Sequence, residues 1–166
     1  MTSIKKAVLL FTVLFIITGF VYPMTVTLIA GLLFPDQAHG SLIVDNENKV
    51  VGSKLIGQNF TSPQYFQSRP SASGYDATSS GGSNLGPTNP VLLDLVDARV
   101  STLREAGITG TIPSDLVMAS ASGLDPHVSL ESALIQVPVV AKARNLPEDE
   151  IKELVLAESV DSPFTG

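Results

Sequence analysis

Asp125, His127 and Ser129 bring a carboxylate, an imidazole and a hydroxyl onto one short string, DPHVS. Those are the groups of nucleophilic hydrolysis, in which a base activates the hydroxyl and an acid orients the base. Their spacing opposes that use. Neighbours on one connector converge poorly on a reacting atom, and no G-x-S-x-G turn offers a nucleophile elbow. The string predicts a turn closed by a side-chain cap instead. Asp125 and His127 also fall short of the three or four protein ligands that zinc takes, and the chain has no cysteine. Asp94 and Asp97 sit on a regular helical pattern, where two carboxylates form a solvated face rather than a glycosidase pair. His39, the other histidine, stands where a long apolar run ends.

Anion binding is the remaining chemistry. SSGGSN, Ser79 to Asn84, has the small residues that let backbone N–H groups converge on an anion. Neither G-x-x-x-x-G-K-[ST] nor G-x-G-x-x-G is present, so the stretch predicts a tight glycine loop. Asn59-Phe60-Thr61 fits the glycosylation pattern, a short motif that chance often supplies.

The elements that must position these groups begin with a membrane anchor. Ala7 to Phe34 carries no charge, and the ~20 residues that cross ~30 Å of hydrocarbon fit inside it. A cleaved signal peptide has a shorter apolar core, so the run predicts a retained helix, kinked where Pro23 frees a carbonyl. Lys5 and Lys6 before it favour a cytoplasmic N-terminus. The expected organisation is a short cytoplasmic N-terminus over 1–6, a transmembrane helix over 7–34 and an extracytoplasmic domain over 35–166. Setting Lys5 and Lys6 aside leaves 8 basic against 16 acidic residues outside. That balance argues against nucleic acid and anionic lipid surfaces as partners.

Ser41 to Gln58 predicts a hairpin, with Asp45 to Asn48 as its turn and Gly52 marking a bulge. Asn59 to Ala72 reads as an irregular segment pinned by Phe60, Tyr65 and Phe66. Asn89 predicts an N-cap with Pro90 at the first helical position, and Leu92, Val96, Val100 and Leu103 make the inward stripe up to Gly107. After a short strand or turn, a second helix runs from Ser129 to Arg144, kinked or shortened by Pro138. A third follows Pro147, with Glu148, Asp149 and Glu150 in its first turn and Ile151, Leu154 and Val155 buried. The fold class is therefore α+β: one N-terminal transmembrane helix and one small mixed domain. Such a chain suits an accessory subunit of a membrane partner. The rival is an anchored outer domain that binds or hydrolyses a small ligand.

Specific strings carry a resemblance. ITGFVYP (Ile17 to Pro23), GSLI (Gly40 to Ile43), GSKLIGQNFTSPQYFQSRPSA (Gly52 to Ala72) and SGGSNLGPTNP (Ser80 to Pro90) occur in order. ASASGLDPHVS (Ala119 to Ser129) and QVPVVAKARNLP (Gln136 to Pro147) complete the set. Together they resemble the C subunit of the bacterial high-affinity potassium-transporting P-type ATPase, the Kdp complex. The resemblance implies a non-catalytic subunit, single-pass in a bacterial or archaeal plasma membrane. It would stabilise and assemble a potassium-channel-like subunit, a P-type ATPase subunit and a small stabilising peptide. It implies no cofactor of its own, ATP and K+ being handled by the complex. A proposal for the family has this subunit raise the pump's ATP affinity through the glutamine at Gln136, which the topology above opposes because ATP is cytoplasmic. The resemblance also makes the glycine stretch a docking surface, with Gly81, Gly82, Asn84, Asn89 and Pro90 as its candidates. The family pattern continues with an apolar final strand, whereas this chain stops at Ser162 to Gly166, so the expectation is either a shortened sequence or a missing sheet edge.

Overall fold

The structure, a computed structural model, describes residues 2–160. It comprises two compact units, Met1–Ser53 and Lys54–Gly166. The stretch from Ser162 to Gly166 lies outside the described residues.

In the first unit, Thr2–Ile16 (α1) and Tyr22–Leu33 (α2) are joined by a π turn over Ile17–Val21. Together they make a helix over Ser3–Leu33 that is long and apolar enough to cross a membrane. The π turn has a local cause. Pro23 has no N–H for the Gly19 carbonyl and its ring crowds that carbonyl. The backbone widens just ahead of it, and the Tyr22 N–H reaches back five residues to the Ile17 carbonyl. The kink expected from Pro23 takes this form. The hydroxyls of Thr12, Thr18 and Thr25 donate to carbonyls four residues back, at 2.9, 2.8 and 2.7 Å. Such bonds spare these three hydroxyls the need for water inside hydrocarbon.

Pro35–Ala38 (α3) is a single turn, and Leu42–Val44 (β1) pairs antiparallel with Val50–Ser53 (β2). Leu42 faces Ser53, Ile43 faces Gly52 and Val44 faces Val50, so Val51 is the extra residue. The bulge thus falls one residue before the glycine expected to mark it. Asp45 builds the turn: its Oδ1 accepts from the N–H groups of Glu47 and Lys49 at 2.8 and 3.0 Å.

In the second unit the described elements are helical, so the sheet of the α+β chain belongs to the anchor-bearing unit. Pro90–Glu105 (α4) starts as its sequence predicts, with Asn89 Oδ1 accepting from the Val91 N–H at 2.9 Å. It ends at Gly107, which takes φ +96°. A 3-10 turn, Ser114–Leu116, occupies the place of the expected short strand or turn. The expected second helix is two helices, Leu130–Leu134 (α5) and Val137–Arg144 (α6). The break lies before Pro138, which sits in the first turn of α6 where proline is tolerated. Glu148–Glu158 (α7) follows, with three acids in its first turn.

Two apolar clusters hold this unit. Leu103, Ile108, Leu116 and Val117 form one, with Val96, Val100 and Val139 half-buried against it. Val137, Val140, Ala141 and Ile151 form the other, backed by Phe66 and Val155. Burying each of the larger of these side chains, the valines, leucines and isoleucines, stabilises by about 1.5–3 kcal/mol before chain entropy is set against it. Leu154, expected in the buried stripe of α7, is 59% exposed; the short helix turns only Ile151 and Val155 inward.

Candidate functional site

The sequence-matched strings of the second unit meet along a seam made by backbone rather than by apolar side chains. The Gly81 N–H donates to the Ser122 carbonyl at 2.8 Å, and Ser80 Oγ donates to the same carbonyl at 2.9 Å. Ser71 Oγ donates to the Gly123 carbonyl at 2.5 Å, and the Gly57 N–H to the Leu124 carbonyl at 2.7 Å. Strands of chain this close leave no room for side chains. A Cβ on Gly82 would stand 3.0 Å from the Ala121 carbonyl oxygen. One on Gly123, at φ +69°, would stand 2.7 Å from the Gly81 carbonyl oxygen. Gly81 differs, since nothing lies within 4 Å of its Cβ position. The glycine stretch is thus closed inward at Gly82 and open outward at Gly81. Asn84, with φ +53°, and Pro90 are exposed, and Asn89 is occupied in capping α4.

Gln136 is a strut between the helices and the aromatic segment. It is 2% exposed. Its Oε1 accepts from the Gln67 N–H at 2.7 Å, while its Nε2 donates to the Gln67 carbonyl at 3.2 Å and the Ser132 carbonyl at 2.9 Å. Both amide N–H donors are therefore engaged, and the side chain pairs with Gln67 as a neighbouring strand would. Phe60 and Tyr65 lie 5.1 Å apart by ring centroids, and the Arg144 guanidinium sits 5.4 Å from the Tyr65 ring. Arg144 Nε also donates to the Gln64 carbonyl at 2.6 Å, so the expected ring pinning is present and α6 completes it.

The residues weighed for hydrolysis do come together, in another arrangement. His127 Nδ1 is 3.0 Å from Asp125 Oδ1, and Arg69 Nη1 donates to Asp125 Oδ2 at 3.0 Å. Ser129 turns away and caps α5, accepting from the Ser132 N–H at 3.1 Å. Its own N–H donates to Asp115 Oδ2 at 2.7 Å, and Ser132 Oγ donates to Asp115 Oδ1. The hydroxyl is given to the helix end, as the sequence predicted. Burial pushes both Asp115 and Asp125 upward, but other contacts outweigh it and hold each below the usual carboxylate value. For Asp115 they are hydrogen bonds from Ser129 and Ser132; for Asp125 they are bonds from His127 with the charge and bond of Arg69. Among the described residues no group of three acids or histidines is placed to hold a metal.

A pattern of the KdpC family, described as K+-transporting ATPase, c chain, matches residues 4–166. The chain belongs to the KdpC family. The potassium-transporting ATPase KdpC subunit of Methanosphaerula palustris is 56% identical over 158 residues, covering 95% of this chain and 85% of that protein. That of Geotalea uraniireducens is 54% identical over 164 residues, 97% and 87% of the two chains. That of Trichlorobacter lovleyi is 54% identical over 169 residues, 100% and 89%. KdpC membership carries the accessory, non-catalytic part that the resemblance implied.

Three residues of this KdpC site escaped the sequence reading: Gln67, Asp115 and Arg69. Each acts across a long chain separation, 69, 14 to 17 and 56 residues respectively. Gln136 alone had a local signal. It is a polar residue between Ile135 and Val137, and an amide inside an apolar run is a candidate for a buried, fully bonded group.

Proposed function

We propose that the second unit is an extracytoplasmic assembly module of a potassium-uptake ATPase, held single-pass in the plasma membrane with Lys5 and Lys6 on the cytoplasmic side. The observation that carries this is the helix over Ser3–Leu33, whose charge-free stretch follows two lysines and whose side chains are unburied by this chain. Such a helix needs lipid or neighbouring helices to cover it. The module's partners are a potassium-channel-like subunit, a P-type ATPase subunit and a small stabilising peptide, and ATP and K+ are handled by them. Gly81, Asn84 and the exposed start of α4 at Pro90 form its docking edge. Gly82 and Asn89 act from behind, by shaping that edge.

Gln136 fits this reading as a positioning residue. With its amide donors held by Gln67 and Ser132, it fixes the aromatic segment against α5 and α6. An effect of this position on ATP affinity would pass through that shape rather than through a nucleotide contact.

Protease added to intact spheroplasts tests the placement. Removal of everything after the anchor is expected, together with co-purification of a multispanning transporter in mild detergent. Protection until the membrane is opened would return the unit to the cytoplasmic side and revive direct contact with ATP. Recovery of the chain alone, with substrate turnover, would favour the rival reading as an anchored ligand-binding or hydrolytic domain.

A further inference from the structure

Between α4, α6 and the aromatic segment lies a cavity of about 460 Å³, walled by Leu103, Ile108, Leu116, Val139 and Val140. That size is at the small end of ligand pockets, which run ~300–1,000 Å³. Its charge is unusual for this chain. Arg99 is the single charged residue lining it, although the sequence holds 16 acids against 10 bases. One Arg99 Nη1 N–H donates to the Val117 carbonyl at 2.7 Å, which fixes the guanidinium at the wall. Among the described residues no carboxylate pairs with it; the ion pairs there belong to Asp125.

A half-buried guanidinium with no counter-ion among the described residues, beside an apolar wall, is an unfinished arrangement. A guanidinium carries five N–H donors in a fork that fits a carboxylate, and charge-assisted bonds of that kind are about twice as strong as neutral ones. We propose that this cavity binds a single-chain carboxylate amphiphile, its carboxylate on Arg99 and its tail against Leu103, Val139 and Val140. A neutral alkyl chain would leave the guanidinium unpaired. A bare inorganic anion would leave the wall wet. A two-chain lipid exceeds the space. The pocket lies wholly within the second unit and does not depend on the assembly role, so the two readings fail separately.

Octanoate is the probe. The full chain, in nanodiscs of zwitterionic lipid with selectively labelled methyl groups, is titrated with octanoate, octanol and inorganic phosphate, and empty nanodiscs correct for partition. Saturable shifts at Val139, Val140 and Leu103 are expected with octanoate, binding weaker by about tenfold or more with octanol, and none with phosphate. Arg99→Gln is expected to lower octanoate affinity by about tenfold or more, and Arg99→Lys by less. Ala106→Phe, which adds bulk at a lining position about two helical turns from Arg99, is expected to abolish the shifts. Octanol binding as tightly as octanoate, or no saturable shift at all, overturns the proposal. So does unchanged octanoate affinity in a folded Arg99→Gln protein. Should that variant fail to fold, unchanged affinity in Ala106→Phe has the same force.

Discussion

The second unit is held in two different ways. Around α4, α6 and α7 the contacts are apolar, and the residues that matter are the larger ones: Leu103, Ile108, Val140, Ile151. Along the seam between 71–82 and 120–124 the contacts are main-chain hydrogen bonds and serine hydroxyls, and what matters is the lack of side chains at Gly82 and Gly123. An apolar cluster relaxes around a lost methylene and charges for the cavity that remains. A backbone seam cannot relax around an added one, because the neighbour is itself main chain with its own bonds to keep. Mutations should therefore be graded in opposite senses on the two sides, truncation hurting one and enlargement the other.

The largest effect is expected from Gly123→Val. The residue sits at φ +69°, and its Cβ would meet the Gly81 carbonyl oxygen at 2.7 Å. Left-handed strain for a branched residue is about 1–2 kcal/mol and overpacking adds about 1–3. A loss of roughly 2–5 kcal/mol should show in circular dichroism melting of the full chain in detergent. A melt within a degree or two of wild type would mean that the seam opens freely, and the contrast with the helical side would collapse.

Gln136→Leu comes next, because Gln136 joins the two regimes: it packs among apolar helices yet makes the bonds of a strand. Leucine keeps the volume but leaves the Gln67 N–H and carbonyl without partners, at about 1–3 kcal/mol each if they stay dry. A net loss of about 2–4 kcal/mol is expected by the same melt. Amide exchange at Gln67 should quicken first, since its protection depends on one side chain. Unchanged exchange there would remove the strut.

Much of the helical side was legible in the sequence, and almost none of the seam. Asn89-Pro90 announced the start of α4, Gly107 its end and Ser129 the cap of α5, because caps are local chemistry written in two or three neighbouring residues. The outward turn of Leu154 was missed, since it depends on what the helix packs against, whereas the interruption at Pro138 was anticipated as a kink or a shortening. The glycine stretch was read from composition as a tight loop, and only the resemblance turned its face to a partner. Its actual neighbour, Ser122, is more than forty positions away from Ser80, and bonds between two irregular segments have no periodicity for a sequence to display. Of the candidate site, the glycines were visible, but whether they face inward or outward was not.

That difference separates the two adjacent glycines in the next prediction. Gly82→Val, with its Cβ at 3.0 Å from the Ala121 oxygen, should destabilise by about 1–3 kcal/mol. Gly81→Val, whose Cβ meets nothing within 4 Å, should leave the melt nearly unchanged. If Gly81 lies on the docking edge, its valine variant should still reduce co-purification of the transporter. Equal melts for the two variants would erase the inward and outward faces. Normal co-purification with Gly81→Val would move the docking edge elsewhere.

The smallest expected effect is that of acid. Asp115 ties α5 to the 3-10 turn and Asp125 ties the connector to Arg69, one carboxylate on each side of the contrast. Both titrate below the ordinary value of 3.8 in the folded chain. A depressed folded pKa means that the unfolded chain binds protons first as pH falls. The stability each carboxylate contributes is thus fully present above about pH 5, and it is lost as pH drops through the unfolded and then the folded value. Melting temperature should be flat from pH 7 to 5 and decline below about 4. Asp115→Asn and Asp125→Asn should each lower the neutral-pH melt slightly and flatten the acid decline. Both groups are partly solvated, so neither change should approach that of Gln136→Leu. If Asp125→Asn alone flattened the decline, the acid-sensitive tie would lie in the bonds from His127 and Arg69 to Asp125. If Asp115→Asn alone did so, it would lie at the cap of α5, and the helical side would be the first to loosen in acid.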